Sequence, residues 1–270
     1  DKSLCRQMLK YSYPLLILGI AGILNQVADK MMFKHLYPGL EREGLKQLSI
    51  YGAASKIAMI MVMLTQAFRY AYEPFVFGNS NDRNSNPMLA KAMKYFIIFT
   101  LLAFLGVVFY IDILKHIINS GYWEGLKVVP IVMAAEIFMG IYFNLSFWYK
   151  LIDKTYWGAI FSFIGCAVLI AINVIFVPTY GYMACAWAGF AGYGVAMVLS
   201  YIIGQKYKPI DYDLKSIFLY TAVAVALFFG NEYIPYPNPA IAFTARTVMI
   251  FAFAAMVLKK EKINIKAIKR

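Results

Sequence analysis

The sequence predicts an all-α membrane protein, a polytopic bundle of eight transmembrane helices. Of its 270 residues, 61% are hydrophobic and only 15% are charged, and the mean hydropathy is +0.62. A soluble domain of this length could not bury so much apolar surface. The apolar runs are about 20 residues long, which suits membrane helices, whereas the strands of a membrane barrel alternate over about ten.

Eight apolar segments follow one another along the chain. The first, Tyr11–Phe33, has Pro14 in its first turn, where proline is tolerated. The second, Leu48–Phe77, is expected to bend or end at Pro74. The others are Lys91–Ile111, Gly125–Tyr149, Thr155–Val177, Gly181–Gly204, Leu214–Gly230 and Pro239–Leu258. The stretch from Pro178 to Gly181 is expected to form a tight turn between the fifth and sixth segments.

Basic residues in the loops predict the orientation of these segments. An even number of spans places both termini on one side of the membrane, and most of the 26 Lys and Arg residues collect on that side. Because cytoplasmic loops carry an excess of Lys and Arg, both termini are predicted to be cytoplasmic. The basic tail from Lys259 to Arg270 suits an anionic lipid surface, or it serves only as a topological anchor.

The second segment is not uniformly apolar. At 100° per residue, Gln66, Arg69 and Glu73 share one face of its helix, and Ser55 and Gly52 continue that face. A charge at bilayer depth costs about 2.5–3.5 kcal/mol on insertion scales. This face is therefore expected to turn toward a protein interior or a water-filled cavity.

The sixth segment carries a small residue at every fourth position. Such a ladder allows two helix backbones to approach closely, and the fifth segment is the expected partner. Its members are Ala184, Ala188, Gly192, Ala196, Ser200 and Gly204.

The hairpin Ala171–Lys206 resembles a recurring element of bacterial polysaccharide and O-antigen flippases, in which Asn and an apolar run precede Pro-x-x-Gly and a small-residue helix. Two further stretches, Asn25–Leu36 and Gln66–Phe77, resemble other parts of that family. Met183 departs from the pattern, since the family usually has glycine there. The matching hairpin residues are Asn173, Pro178, Gly181, Ala184 and Ala186.

The resemblance implies the superfamily of multidrug, oligosaccharidyl-lipid and polysaccharide exporters, which includes the MATE transporters. Its members usually have fourteen helices in two lobes around a central cavity. Residues 1–204 would then be the C-terminal six-helix lobe of such a MATE-like flippase, and residues 205–270 two additional transmembrane helices with a basic cytoplasmic tail. Because the chain begins at Asp1 and not at methionine, an N-terminal lobe of the same chain is expected upstream.

The function implied by the resemblance is export of a polyprenyl-pyrophosphate-linked oligosaccharide across the bacterial inner membrane. The lipid would pass from the cytoplasmic to the outer leaflet by alternating access, for synthesis of cell-surface polysaccharide such as the O-antigen of lipopolysaccharide. Expected partners are this substrate, the lipid bilayer, the N-terminal lobe and glycan polymerase or assembly machinery. Two alternatives remain open: a MATE-type ion-coupled drug or cation antiporter, and a scaffold that does not itself transport.

Cationic side chains within the spans are the candidate substrate-binding residues, because a pyrophosphate needs positive charge in a hydrated cavity. Arg69 and Lys56 are the first candidates, followed by Lys30, and the polar Gln66 and Asn25 accompany them. Each of the three cations also has an interpretation without a substrate. Arg69 could pair with Glu73 one turn away, Lys56 could extend to the outer interface, and Lys30 could pair with Asp29 at a helix end.

Three carboxylates are candidates for ion coupling, namely Glu136, Asp29 and Glu73. A carboxylate inside a membrane segment can bind a coupling proton or Na⁺, or it can pair with a basic residue of another helix.

An enzyme is not expected. The two histidines, His35 and His116, fall in outer-side loops without a neighbouring cysteine or carboxylate cluster of catalytic spacing. The sequence has no metal motif, P-loop or dinucleotide fingerprint, so no metal and no cofactor are predicted. The basic residues follow the loops and form no groove, so nucleic acid is not an expected partner.

Overall fold

The computed structural model describes residues 28–78, 85–234, 236 and 238–261, together with residues 8, 9, 12, 13, 16, 19 and 20. All regular elements within these residues are helical, and seven helices are long and apolar enough to cross a membrane. The predicted fold class, a polytopic all-α membrane bundle, is confirmed. The first expected span, Tyr11–Phe33, lies largely outside the described residues.

The helices are named in chain order. They are α1 (28–36), α2 (Glu41–Gly78), α3 (Ser85–Phe109), α4 (Ile111–Leu114), α5 (Val129–Leu145), α6 (Phe147–Leu151), α7 (Tyr156–Tyr180), α8 (Tyr182–Tyr207), α9 (Leu214–Tyr233) and α10 (Pro239–Lys260). Two 3₁₀ segments, Lys115–Ile117 and Ser120–Val128, connect α4 to α5. The second 3₁₀ segment, α5 and α6 together form one candidate span.

Two prolines do not end their helices. Helix α2 starts at Glu41 rather than Leu48 and continues through Pro74 to Gly78, so Pro74 does not end this span, and a bend at Pro74 stays a prediction. Helix α7 likewise continues through Pro178 to Tyr180. A proline removes one backbone N–H, and a membrane helix tolerates that loss when neighbouring groups compensate for it.

The predicted four-residue turn between the fifth and sixth segments is also wrong, because the reversal takes place at one glycine. Gly181 adopts φ 57° and ψ −140°, and its N–H donates to the carbonyl of Val177 at 2.9 Å. A positive φ is the conformation that glycine adopts without steric cost. One residue therefore suffices to separate α7 from α8.

The bundle is built around α3 and α5. Helix α5 packs against α2, α3 and α8, and α8 forms a hairpin with α7. Helices α9 and α10 pack on α3 and on each other. In the most apolar stretch of α3, 61% of the residues are buried, whereas in the most apolar stretch of α10 only 11% are. Helix α10 therefore lies at the periphery of the described bundle. The division of the chain at residue 204 stays a prediction.

The small-residue ladder of α8 is buried along its whole length, as predicted, from Ala184 to Gly204. Its centre meets α7 at two facing glycines, Gly165 and Gly192. A Cβ atom built on Gly192 would lie 2.7 Å from the Gly165 carbonyl oxygen, and one on Gly165 would lie 2.9 Å from the Gly192 oxygen. The two backbones thus touch without an intervening side chain.

We expect Gly192→Ala to lower the free energy of unfolding by about 1–3 kcal/mol, because the added methyl overpacks against a backbone oxygen that cannot move aside. Thermal unfolding in detergent would measure the change. The matched control is Gly189→Ala on the same helix, where an added Cβ meets no atom within 4 Å. Because alanine has a higher helix propensity than glycine, Gly189→Ala should stabilise the protein by up to about 1 kcal/mol. Equal melting temperatures for the two variants would contradict the expectation.

A charge cluster fastens α9 and α10 to α3. Lys94 Nζ lies 2.6 Å from a Glu261 carboxylate oxygen and 3.4 Å from one of Asp213. The Tyr220 hydroxyl donates to Glu261 at 2.6 Å, and Asp213 accepts from the Ser216 N–H at the start of α9. The Lys94 side chain on α3 therefore links both peripheral helices to the bundle.

This cluster should make stability depend on pH. Burial acts to raise the pKa of Glu261, but hydrogen bonds from Lys94 and Tyr220 outweigh burial and hold that pKa below its ordinary value. A carboxylate with a lowered pKa contributes stability above its unfolded pKa, and the contribution is lost as pH falls through the lowered value.

We therefore expect Lys94→Met to lower the free energy of unfolding at neutral pH by about 1–3 kcal/mol, since Glu261 loses a charged hydrogen-bond donor. The difference from the unmodified protein should shrink as the pH falls below the ordinary pKa of a glutamate. Chemical unfolding at several pH values would measure both effects. Lys91→Met, an exposed position one turn earlier, is the control and should change little. A pH-independent difference would contradict this account.

Candidate functional site

A cavity of about 280 Å³ lies where α1, α2, α5, α7 and α8 converge. Most of its wall is apolar, and its polar side chains come from four of these helices. The polar set comprises Asp29, Lys30, Tyr51, Ser55, Glu136 and Tyr193. Two candidate coupling carboxylates and one candidate cation are thus brought together around one space.

Asp29 is held firmly at the edge of this cavity. Its side chain accepts a hydrogen bond from the Tyr51 hydroxyl at 2.7 Å and one from the Lys30 backbone N–H, also at 2.7 Å. The residue is only 7% exposed. The Lys30 ammonium lies 6.0 Å from the centre of the Tyr51 ring. Both oxygens of the Asp29 carboxylate are therefore oriented by neighbouring donors.

Glu136 projects from α5 and is 9% exposed. Its carboxylate forms no direct ion pair or hydrogen bond with any other described side chain, and Lys30 is the charge that acts on it across the cavity. A carboxylate without a direct donor inside a membrane span is a site where a proton or a cation would be stabilised.

The upper part of the polar face of α2 lines the same cavity through Ser55, with Met59 and Val62 beside it. Tyr51 lies one turn before Ser55 on that face, since residues four apart on a helix are neighbours. The sequence reasoning missed both Tyr51 and Tyr193. Tyr51 directly precedes Gly52, where the predicted polar face ended, and Tyr193 directly follows the ladder glycine Gly192.

Further along α2, four polar side chains share one property, and we call them the Arg69 cluster: Thr65, Gln66, Arg69 and Tyr72. Each of these four side chains has a buried nitrogen or oxygen without a hydrogen-bond partner. The Arg69 guanidinium lies 4.8 Å from the Phe143 ring of α5 and 5.2 Å from the Tyr70 ring. Along the ranges that the structure describes, no carboxylate lies within ion-pair distance of Arg69.

Glu73 does not pair with Arg69, although the two are one turn apart. Its carboxylate instead accepts from Lys150 Nζ of α6 at 2.6 Å, so the local Arg69–Glu73 neutralisation is not what the structure shows. The reason is geometric, because α6 brings a nearly buried lysine against Glu73. A role of Glu73 in ion coupling stays a prediction, and its carboxylate already has a cationic partner in Lys150.

Two predicted site residues remain, Lys56 and Asn25. Lys56 is exposed and is absent from the residues that line the 280 Å³ cavity. Asn25 lies outside the described residues. The role of either residue in substrate binding stays a prediction. Within the described ranges, no group of three or more His, Cys, Asp or Glu side chains could hold a metal ion.

No protein-family model and no curated protein matches this sequence. Among solved structures, the chain is similar to the lipid II flippase MurJ in an inward closed conformation, with a TM-score of 0.70 and 18% sequence identity. The similarity covers 97% of this chain and 57% of that chain, so this chain spans little more than half the length of the flippase. At this identity the likeness shows the fold alone.

Proposed function

We propose that this protein is a membrane flippase that moves a polyprenyl-pyrophosphate-linked oligosaccharide from the cytoplasmic to the outer leaflet of the bacterial inner membrane. The observation that carries the proposal is the half-buried guanidinium of Arg69, which lies in a membrane span without a carboxylate partner among the described residues. The fold shared with a lipid II flippase supports the same class of substrate.

The Arg69 cluster has the chemistry that a pyrophosphate requires. Arginine presents a planar fork of N–H donors that matches the oxygens of a phosphate. Hydrogen bonds from a charged guanidinium to a phosphate oxygen are stronger than those between neutral groups. The unpaired Tyr72 hydroxyl could donate a further hydrogen bond to phosphate, whereas the unpaired Gln66 Oε1 is an acceptor and would need a donor such as a sugar hydroxyl. Phosphate binding would thus satisfy the Arg69 Nε–H and the Tyr72 hydroxyl, which otherwise stay buried without partners.

The 280 Å³ cavity would serve ion coupling. We assign the coupling proton or Na⁺ to Glu136, with Asp29 as its neighbour and Lys30 as the competing cation. Lys30 could instead contact the substrate head group from this cavity. Because the polar groups lie at two depths along α2, a head group entering at one depth could be linked to an ion bound at the other.

The chain would act with a second helical lobe, since it spans 57% of the flippase that it resembles. We propose that this lobe is the N-terminal part of the same protein, that both termini of the present chain are cytoplasmic, and that the glycan belongs to a cell-surface polysaccharide such as O-antigen. Glycan polymerase or assembly machinery would receive the exported lipid.

One observation favours a second function, an ion-coupled drug or cation antiporter. The 280 Å³ cavity contains two carboxylates, Asp29 and Glu136, against the single ammonium of Lys30. An acidic cavity suits a cationic substrate. The unpaired Arg69 has no role in that alternative, so efflux of a cationic dye that survives the loss of Arg69 would favour the antiporter.

The first test neutralises Arg69. In proteoliposomes containing a fluorescent polyprenyl-pyrophosphate-linked oligosaccharide, we expect Arg69→Gln to slow flipping by about 10- to 100-fold, because a charged hydrogen bond to the head group is lost. Arg69→Lys should recover part of the rate, since charge is restored but the fork is not.

Arg42→Gln is the control for that test, because Arg42 is exposed at the start of α2. It should flip the lipid at the unmodified rate. Equal rates for Arg69→Gln and the unmodified protein, at equal amounts of folded protein, would remove the assignment.

The second test concerns Glu136. If this carboxylate binds the coupling proton, Glu136→Gln should abolish the response of flipping to an imposed pH gradient, because an amide cannot exchange that proton. Asp211→Asn, an exposed residue between α8 and α9, should leave the response unchanged. An unaltered pH profile in Glu136→Gln would argue against coupling at this site and leave the Arg69 assignment untouched.

A further inference from the structure

A second cavity, of about 460 Å³, opens at the end of the bundle where α1 joins α2 and α7 joins α8. We call it the outer cavity, because the distribution of basic loop residues predicts that this end faces outward. Its walls come from the α1–α2 connection, the second 3₁₀ segment and the turn at Gly181. Its volume is within the range of small-molecule sites.

Three tyrosine rings face this space, and two of them are fixed by packing. Tyr182 is 6% exposed, and Tyr37 stacks on Phe33 with ring centres 5.4 Å apart and planes inclined by 17°. Tyr180 is 63% exposed and can meet a ligand with one face of its ring. The exposed aromatic surface of the outer cavity is therefore mainly the ring of Tyr180, since the Lys127 ammonium lies 5.7 Å from the centre of the Tyr182 ring.

The polar groups of the outer cavity include both donors and acceptors. Gln47 Nε2 donates to the Tyr37 hydroxyl at 3.0 Å, which leaves the proton of that hydroxyl for a ligand. The Tyr182 hydroxyl donates to Glu124 at 3.2 Å, and Lys127 Nζ lies 3.7 Å from the same carboxylate oxygen. Among the described residues that line this cavity, the single ammonium thus lies beside a carboxylate.

The backbone at Gly181 forms part of the wall. A Cβ atom at this position would collide with the side-chain oxygen of Gln47, and the φ of 57° also disfavours any other residue. The turn residue that separates α7 from α8 therefore also leaves the space that the Gln47 side chain occupies at the cavity wall.

We infer that the outer cavity binds a short saccharide. A sugar ring has apolar C–H faces that stack on tyrosine, and it has hydroxyl groups that need donors and acceptors at once. A phosphate would require an excess of positive charge, but the Lys127 ammonium lies beside the carboxylate of Glu124. The source of this saccharide is the head-group glycan of the exported lipid, which the cavity holds after the lipid reaches the outer side. This part of the inference rests on the proposed function.

Binding can be measured by saturation-transfer NMR on the full chain in lipid nanodiscs. The probes are N-acetylglucosamine tetramer, maltotetraose and a galacturonic acid tetramer. We expect saturation transfer to the ring C–H protons of at least one probe. Tyr180→Ala and Gln47→Ala should each weaken binding about five-fold, because each removes a single stacking or hydrogen-bond contact.

Tyr156→Ala is the matched control, since Tyr156 is an exposed tyrosine at the opposite end of α7. It should bind the saccharide as the unmodified protein does. The inference is overturned if none of the three probes receives saturation, or if Tyr180→Ala and Gln47→Ala both bind as tightly as the control.

A flipping assay on Tyr180→Ala identifies the source of the saccharide. Slower flipping, together with inhibition of the unmodified protein by external saccharide, is expected for a head-group site. Lost saccharide binding with an unchanged flipping rate would overturn the link to the exported lipid and assign the cavity to a separate outer glycan. Intact saccharide binding in a protein that flips no lipid would count against the proposed function and not against this site.

Discussion

Charge inside a membrane must be hidden or paired, and the polar residues of this bundle meet that requirement in three different ways. Asp29 is oriented by the Tyr51 hydroxyl, and Glu73 is neutralised by Lys150 from another helix. Arg69 is covered by the Phe143 ring but has no counter-ion in the described part of the chain. Since an unpaired charge in a membrane span is costly, the half-buried Arg69 is the residue to which we assign a ligand in the proposed function.

The helices themselves were largely predictable, because about 20 consecutive apolar residues leave few alternatives in a bilayer. The buried ladder on α8 was also predictable, since its four-residue period places all members on one face. The effect of the prolines on their helices was not predictable. Whether Pro74 or Pro178 ends a helix depends on what surrounds the freed carbonyl, and that is a property of the folded bundle. The only residue that the α7–α8 turn needed was Gly181.

The site could be predicted in part. The period of α2 placed Gln66, Arg69 and Glu73 on one face, but it could not show that Lys150 would reach Glu73 from α6. Local spacing favours partners one turn away, whereas the packing of two helices decides which partner is nearer. For the same reason Glu136 and Asp29, over a hundred residues apart, converge on one cavity that no local pattern indicated. The exposed position of Lys56 also follows from packing.

The bare contact between Gly165 and Gly192 restricts how this bundle can deform. If α7 slid along α8 by even one turn, a larger side chain would replace a glycine against a carbonyl oxygen, and the close-packed seam would have to separate. Shear between these two helices is therefore blocked, and they can only pivot together as one lever. Tyr193 on α8 and Leu169 on α7 both line the 280 Å³ cavity, so that wall must travel as a unit. The cavity can then widen by a pivot of the α7–α8 pair as a whole, or by a movement of α1, α2 or α5, but not by sliding of α7 along α8.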